Sequence, residues 1–164
     1  MFERFPARSR KVLERARREA AVLGSQDLQA EHILLALTSD PDPVVAGVLA
    51  EAGLDREAVL RALDAQEEAA LATVGVSRAA FGLPPARPLR REPGWATTSK
   101  QALVRAQRSA AARRDRSIRP AHLLLGVLHA EAGAVPRLLA FAGVDGVELT
   151  TRVEAALDRA GSPK

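Results

Sequence analysis

The chain has 164 residues, 47% hydrophobic and 27% charged, the balance of a globular protein rather than a disordered one. It has no cysteine, which excludes disulfides, thiolate zinc sites and cysteine nucleophiles. Its 24 basic and 20 acidic side chains leave a net charge of +4, too small and too evenly spread to imply nucleic acid by itself. Residues 1–20 carry charges throughout, with no apolar core of a signal peptide, and no run approaches the roughly 18 apolar residues of a membrane span. A cytoplasmic location is the expectation.

Pro6 to Leu23 is predicted as the first helix, because Phe5, Val12, Leu13, Ala16, Ala20 and Leu23 recur at three- and four-residue steps. Pro6 suits a first helical turn and Gly24 a helix stop. A second helix follows at Ala30–Leu37, AEHILLAL, with Ile33, Leu34 and Leu37 as its buried stripe. Asp42–Pro43 predicts a capped third helix over Val44–Ala52 with Gly53 as its stop, and Asp55 caps a fourth running to about Glu67. No stretch alternates with period two, so no sheet is expected. Asp64–Gly94 begins as an alanine-rich helical tail and ends as LPPARPLRREPG, an extended connector in which Phe81 and Leu83 are expected to tack part of the segment to the body.

The pattern then restarts ninety positions on. Trp95 falls where Phe5 stands, and Ser99, Leu103, Arg105, Ala106, Arg108, Ala110 and Ala111 match Ser9, Leu13, Arg15, Ala16, Arg18, Ala20 and Ala21. His122, Leu124 and Leu125 in AHLLLGVL match His32, Leu34 and Leu35, and Leu139, Ala140, Gly143 and Asp145 match Leu49, Ala50, Gly53 and Asp55. The last helix spans about Gly146–Arg159. The expected fold is all-α: a first repeat over 1–67, a linker over 68–94 and a second repeat over 95–164, packed about a pseudo-twofold axis because a half of this size is marginal alone.

The chemistry is mostly negative. No GxxxxGK[ST] or GxGxxG segment occurs, so neither an ATPase loop nor a dinucleotide fold is supported. Glu31–His32 lacks the second histidine of a zinc HExxH site, and no metal or cofactor is expected. His32 and His122 are expected to fix helix starts by hydrogen bonding rather than to catalyse, and the chain is read as a non-enzyme. A rival reading is a nucleic-acid-associated regulator using Arg113, Arg114, Arg116 and Arg119 with the linker arginines Arg87, Arg90 and Arg91. Against it stand the absence of tyrosine, a single tryptophan, and the acids Glu51, Glu57, Asp64, Glu67 and Glu68.

MFERF, a helix of the form RxRKVLxxAxxEAxxLG, and AEHILLAL together resemble the Clp repeat domain, the amino-terminal module of Clp-family AAA+ unfoldases, closest to the ClpC type. The resemblance covers nearly the whole chain. It implies a pseudo-symmetric helical fold that binds peptides, substrates or adaptors of the Clp protease, with direct contact to a Clp ATPase as a further implication. The ATPase domains of a full unfoldase are absent from this sequence, so a free-standing Clp-N protein or a fragment is expected. A free-standing copy would modulate Clp proteolysis and could sequester Clp-directed cyclic peptide antibiotics. The resemblance carries the antibiotic groove onto Phe2, Arg10, Leu13, Trp95, Lys100, Leu103 and Val104, with Trp95 in place of a smaller phenylalanine and Val104 in place of an acid. Phe2 and Trp95 read equally as exposed anchors or as core. It also carries a phosphoarginine-type pocket onto Glu31, since a carboxylate accepts a guanidinium fork. Ala121 has lost the matching acid, and Pro6 and Ala30 replace threonines, so at most one such pocket is implied.

Overall fold

The structure is a computed structural model, and it describes residues 5–161. The first half holds α1 (Ala7–Val22), α2 (Ala30–Leu37), α3 (Pro43–Glu51) and α4 (Arg56–Ala72). A one-turn helix α5 (Arg78–Phe81) lies in the connector, and the second half holds α6 (Thr97–Ala112), α7 (Pro120–Leu128), α8 (Ala134–Phe141) and α9 (Gly146–Gly161). The four-plus-four arrangement predicted by the repeat is present.

The helix limits follow from local chemistry. Asp42 accepts from the Val44 and Val45 amides at 3.0 and 3.2 Å, with Pro43 in the first turn of α3. Asp55 and Asp145 cap α4 and α9 in the same way. Each half also starts its central helix with a histidine: the Gln29 amide donates to His32 Nδ1 at 2.9 Å, and the Arg119 amide donates to His122 Nδ1 at 3.0 Å. This is the helix-start role expected of both residues, and it leaves each ring proton on Nε2.

The two halves pack reciprocally. α2 and α7 lie side by side at the centre, α3 packs on α9 while α4 packs on α8, and α1 meets α7 while α6 meets α2. Side chains repeat the exchange: Ser9 Oγ donates to the Ile118 carbonyl, and Ser99 Oγ donates to the Leu28 carbonyl at 2.7 Å. Those donors and acceptors are each ninety residues apart, so the bonds are twofold mates. The core joins both halves through Leu13, Ile33, Leu34, Leu103, Leu124 and Leu125, all buried. Each such side chain stabilises the fold by about 1.5–3 kcal/mol relative to exposure.

Three expectations are corrected. A sheet does exist, as a parallel pair of β1 (Asp27–Leu28) with β2 (Gly94–Trp95). Two residues are too few for alternation to be seen, and the pairing is made by the connector returning beside the loop after α1, where the Gly94 amide donates to the Gln26 carbonyl and the Ala96 amide to that of Leu28, both at 3.0 Å. Helix α4 runs past Glu67 to Ala72, because EEAALA contains only strong helix formers. Phe81 and Leu83 do not tack the connector down, being 64% and 46% exposed. The segment is held instead by its main chain and charges: the Leu89 amide donates to the Ala21 carbonyl at 2.8 Å, Arg78 pairs with Glu67, and Arg17 pairs with Glu92 at 3.0 Å.

Candidate functional site

Three concavities lie around the start of α2 and the two long helices α1 and α6. The first, about 630 Å³, runs along α6 to the α7–α8 loop and is lined by Glu31, Lys100, Gln101, Val104, Arg105 and Glu131 among others. The second, about 860 Å³, lies between α2, the tail of α4 and the connector, with Glu31, His32, Gln66 and Arg137 on its walls. The third, about 400 Å³, lies between α1 and the connector, with Leu13, Arg17, Ala21, Glu92 and Trp95 among its lining.

The positions carried over for the antibiotic groove are divided between these surfaces. Lys100 and Val104 line the α6 cleft, and Val104 is 37% exposed, an apolar side chain facing solvent. Leu13 and Trp95 line the cleft under the connector. Leu13 and Leu103 are buried in the core, and Arg10 is exposed on α1 and lines none of the three clefts. Phe2 lies outside the described residues. Trp95 is half-buried against the edge of the core, with the Arg17 guanidinium 5.5 Å from its ring centroid. Trp95 thus packs against the core and also lines the cleft under the connector.

Glu31 stands where the first two clefts meet. Burial pushes its carboxyl above the usual range, opposed by a bond from its own backbone amide and by the charge of Arg137. Its Oε2 atom and Gln66 Oε1 are buried without a hydrogen-bond partner. A carboxyl oxygen left without a partner at the start of a helix on a cleft wall is suited to receive a donor-rich group from outside. Beside it, burial lowers His32 to about 4, opposed by the charge of Glu19, so the ring is neutral near pH 7. His122 is also lowered by burial, opposed by Asp115, whose Oδ2 accepts from His122 Nε2 at 2.8 Å. Position 25 in the first half, the counterpart of Asp115, is a serine that donates to the Asp27 carbonyl.

Two of the four arginines after α6 are engaged within the chain. Arg113 pairs with Asp158, and Arg119 lies 3.6 Å from Asp115. Sequence reasoning missed Arg17, Gln66, Glu92 and Arg137. Arg17 and Glu92 are ordinary charged residues in sequence, and only the return of the connector pairs them. Gln66 and Arg137 reach the second cleft through the packing of α4 on α8.

The Clp repeat (R) N-terminal domain model matches residues 4–91 and 96–163. A probable ATP-dependent Clp protease ATP-binding subunit of Chlamydia pneumoniae is 27% identical over 158 residues, which is 96% of this chain and 17% of that protein. The chain thus spans about 17% of the length of that relative. Among solved structures, the N-terminal domain of the chaperone ClpD from Arabidopsis thaliana superposes with a TM-score of 0.70 at 21% identity, covering 96% of this chain and 99% of that one. A complex of the ClpV N-domain with a VipB peptide superposes with a TM-score of 0.59 at 18% identity, covering 98% and 91%. Two tandem matches spanning almost the whole sequence, on a reciprocal four-plus-four helical fold, place this chain in the Clp repeat N-terminal domain family.

Proposed function

We propose that the chain is a non-enzymatic peptide-binding module that takes up substrates or adaptors of the Clp protease and so modulates Clp proteolysis. The observation that carries this reading is the 630 Å³ cleft along α6, whose lining includes the apolar Val104, the cation Lys100 and Glu31 with its partnerless carboxyl oxygen. An open cleft with an apolar strip and a few polar groups fits a side chain or short backbone stretch of a peptide. The structurally similar ClpV N-domain was solved with a peptide bound, which supports the same class of ligand here.

Within this reading, Lys100, Val104 and Glu31 are the contact residues of the α6 cleft, and Trp95 belongs to a second contact surface on α1, with the buried Leu13 as its floor. A Clp-directed cyclic peptide antibiotic is a suitable occupant, so the chain would also sequester such compounds. Glu31 would receive a guanidinium, including that of a phosphoarginine, in the one pocket that keeps its acid. Calorimetric titration with a Clp-targeting cyclic peptide and with an arginine-phosphorylated peptide tests the reading. Binding of either, weakened about tenfold or more by Val104→Arg, is the expected result. The reading fails if neither peptide binds and no Clp adaptor or substrate is retained by the immobilised chain.

A further inference from the structure

The connector does more than join the halves. Residues 83–92 have no helix or strand of their own and are almost entirely exposed, yet they follow the C-terminal half of α1 closely. The contact is backbone on backbone at its centre: Leu89 donates to the Ala21 carbonyl, and the Arg87 carbonyl lies 2.6 Å from where a Cβ on Gly24 would stand. At its end Glu92 pairs with Arg17, Arg91 bonds Gln26, and Pro93 is buried before Trp95 enters β2. Beneath it lies the 400 Å³ cleft with Leu13, Ala21 and Trp95 on its walls.

These contacts have the form of an extended peptide seated in a recognition groove. Two backbone amides, those of Leu89 and Gly94, are captured, an acid is paired with an arginine, and a proline leads to an aromatic ring. They are also weak. The Glu92 side chain is 81% exposed, and an ion pair of that kind is worth little in water. What favours the bound form is tethering, which gives the segment a high effective concentration at the groove. The counterpart face on α6 carries Arg114 where α1 has Gly24, so the same close backbone approach is denied there.

We propose that the α1 face around Arg17, Ala21 and Trp95 is a docking surface for an extended partner segment carrying an acid–proline pair, and that residues Leu89–Gly94 occupy it in cis as a displaceable strap. The strap therefore regulates access to the α1 contact surface of the preceding section, and the inference rests on that surface being a binding face. A partner must outcompete the tether, so its apparent affinity is reduced by the fraction of time the strap is seated.

The single tryptophan provides the readout, since Trp95 lies in the cleft itself. A synthetic peptide of residues 83–94 is titrated into the wild-type chain and into two variants: Glu92→Lys, and a chain whose residues 83–92 are replaced by a Gly/Ser segment of equal length. The expected result is that Trp95 is more readily quenched by acrylamide in both variants. The peptide should reverse this in the Gly/Ser chain, binding it about tenfold or more tightly than it binds wild type. Equal quenching in all three chains would overturn the proposal, as would no peptide binding by a Gly/Ser chain that keeps its helical circular dichroism. A Clp-targeting peptide added in parallel separates the two ideas. If it binds no form while the strap peptide binds the Gly/Ser chain, the Clp reading fails and the docking surface stands. If the strap peptide alone fails, the reverse holds.

Discussion

The two halves of the molecule share a scaffold and differ in how completely its polar groups are satisfied. In the second half His122 is closed at both ring nitrogens, by the Arg119 amide and by Asp115, and the neighbouring position is the buried Ala121. In the first half His32 keeps the amide bond, Ser25 stands at the position of Asp115 and bonds the Asp27 carbonyl instead, and Ala121 is replaced by Glu31 with a buried oxygen that has no partner. The second half satisfies these buried groups, and the first half leaves a buried carboxyl oxygen without a partner at the cost of local stability. Such a cost is common where a side chain is kept for binding.

The halves also differ in packing, and the largest expected effect breaks that difference. At Gly126 on α7, an added Cβ would stand 2.2 Å from the Ala102 carbonyl oxygen and 2.9 Å from the Ala106 nitrogen of α6, both backbone atoms. Gly126→Ala should lower unfolding stability by about 3 kcal/mol in denaturant titration. Its mate on α2 is Ala36, which is fully buried, so Ala36→Gly should cost only about 1–2 kcal/mol through a lost methyl and helix propensity.

Acid is the next lever. Because the His32 pKa is about 4 in the folded chain and about 6.5 unfolded, the unfolded chain binds the proton first as pH falls. The stability this group contributes is whole above pH 6.5 and is lost progressively down to about pH 4, by up to about 3 kcal/mol. His122 adds loss of the same sign, since it too is lowered. Glu31 acts in the opposite sense: its raised carboxyl takes up a proton earlier in the folded state, which recovers stability as pH falls. Glu31→Gln should therefore raise stability at pH 7 by about 1 kcal/mol and steepen the acid loss, as followed by unfolding titrations from pH 7 to 4.5.

The helix stops give the smallest and most local comparison. Gly24 and Arg114 are mates, both with positive φ, at 73° and 56°. Each closes its helix with the same pair of backbone bonds, from Ser25 and Gly24 to Ala20 and Ala21, and from Asp115 and Arg114 to Ala110 and Ala111. Arg114→Gly should raise the melting free energy by about 1 kcal/mol, because only the non-glycine residue is strained there. Gly24→Ala should lower it by about 2 kcal/mol, because the new methyl adds a clash with the connector to the same strain.

What was legible in the sequence was what repeats. The histidines, the capping aspartates and the leucine stripes recur at one offset, so the helices and their reciprocal packing could be read from residues alone. Glu31 stood out for the same reason, as the member of AEHILLAL with no counterpart in AHLLLGVL. The connector was not legible, because it has no mate and its contacts are made by backbone atoms and common charged side chains. Nothing local in Arg17, Leu89 or Glu92 marks them as partners across the α1 surface. Among the described groove positions, helix packing turns Leu13 and Leu103 inward and puts Trp95 on a different cleft from Lys100 and Val104, an arrangement that no local sequence signal marks.

If Glu31 is the ligand-receiving acid, one half alone keeps such a group. Calorimetry of an arginine-phosphorylated peptide against the wild-type chain and Glu31→Gln decides this: one site per chain is expected, weakened about tenfold or more in the variant, the loss of a hydrogen bond to a charged group. Two equivalent sites, or an affinity unchanged by Glu31→Gln, would contradict it.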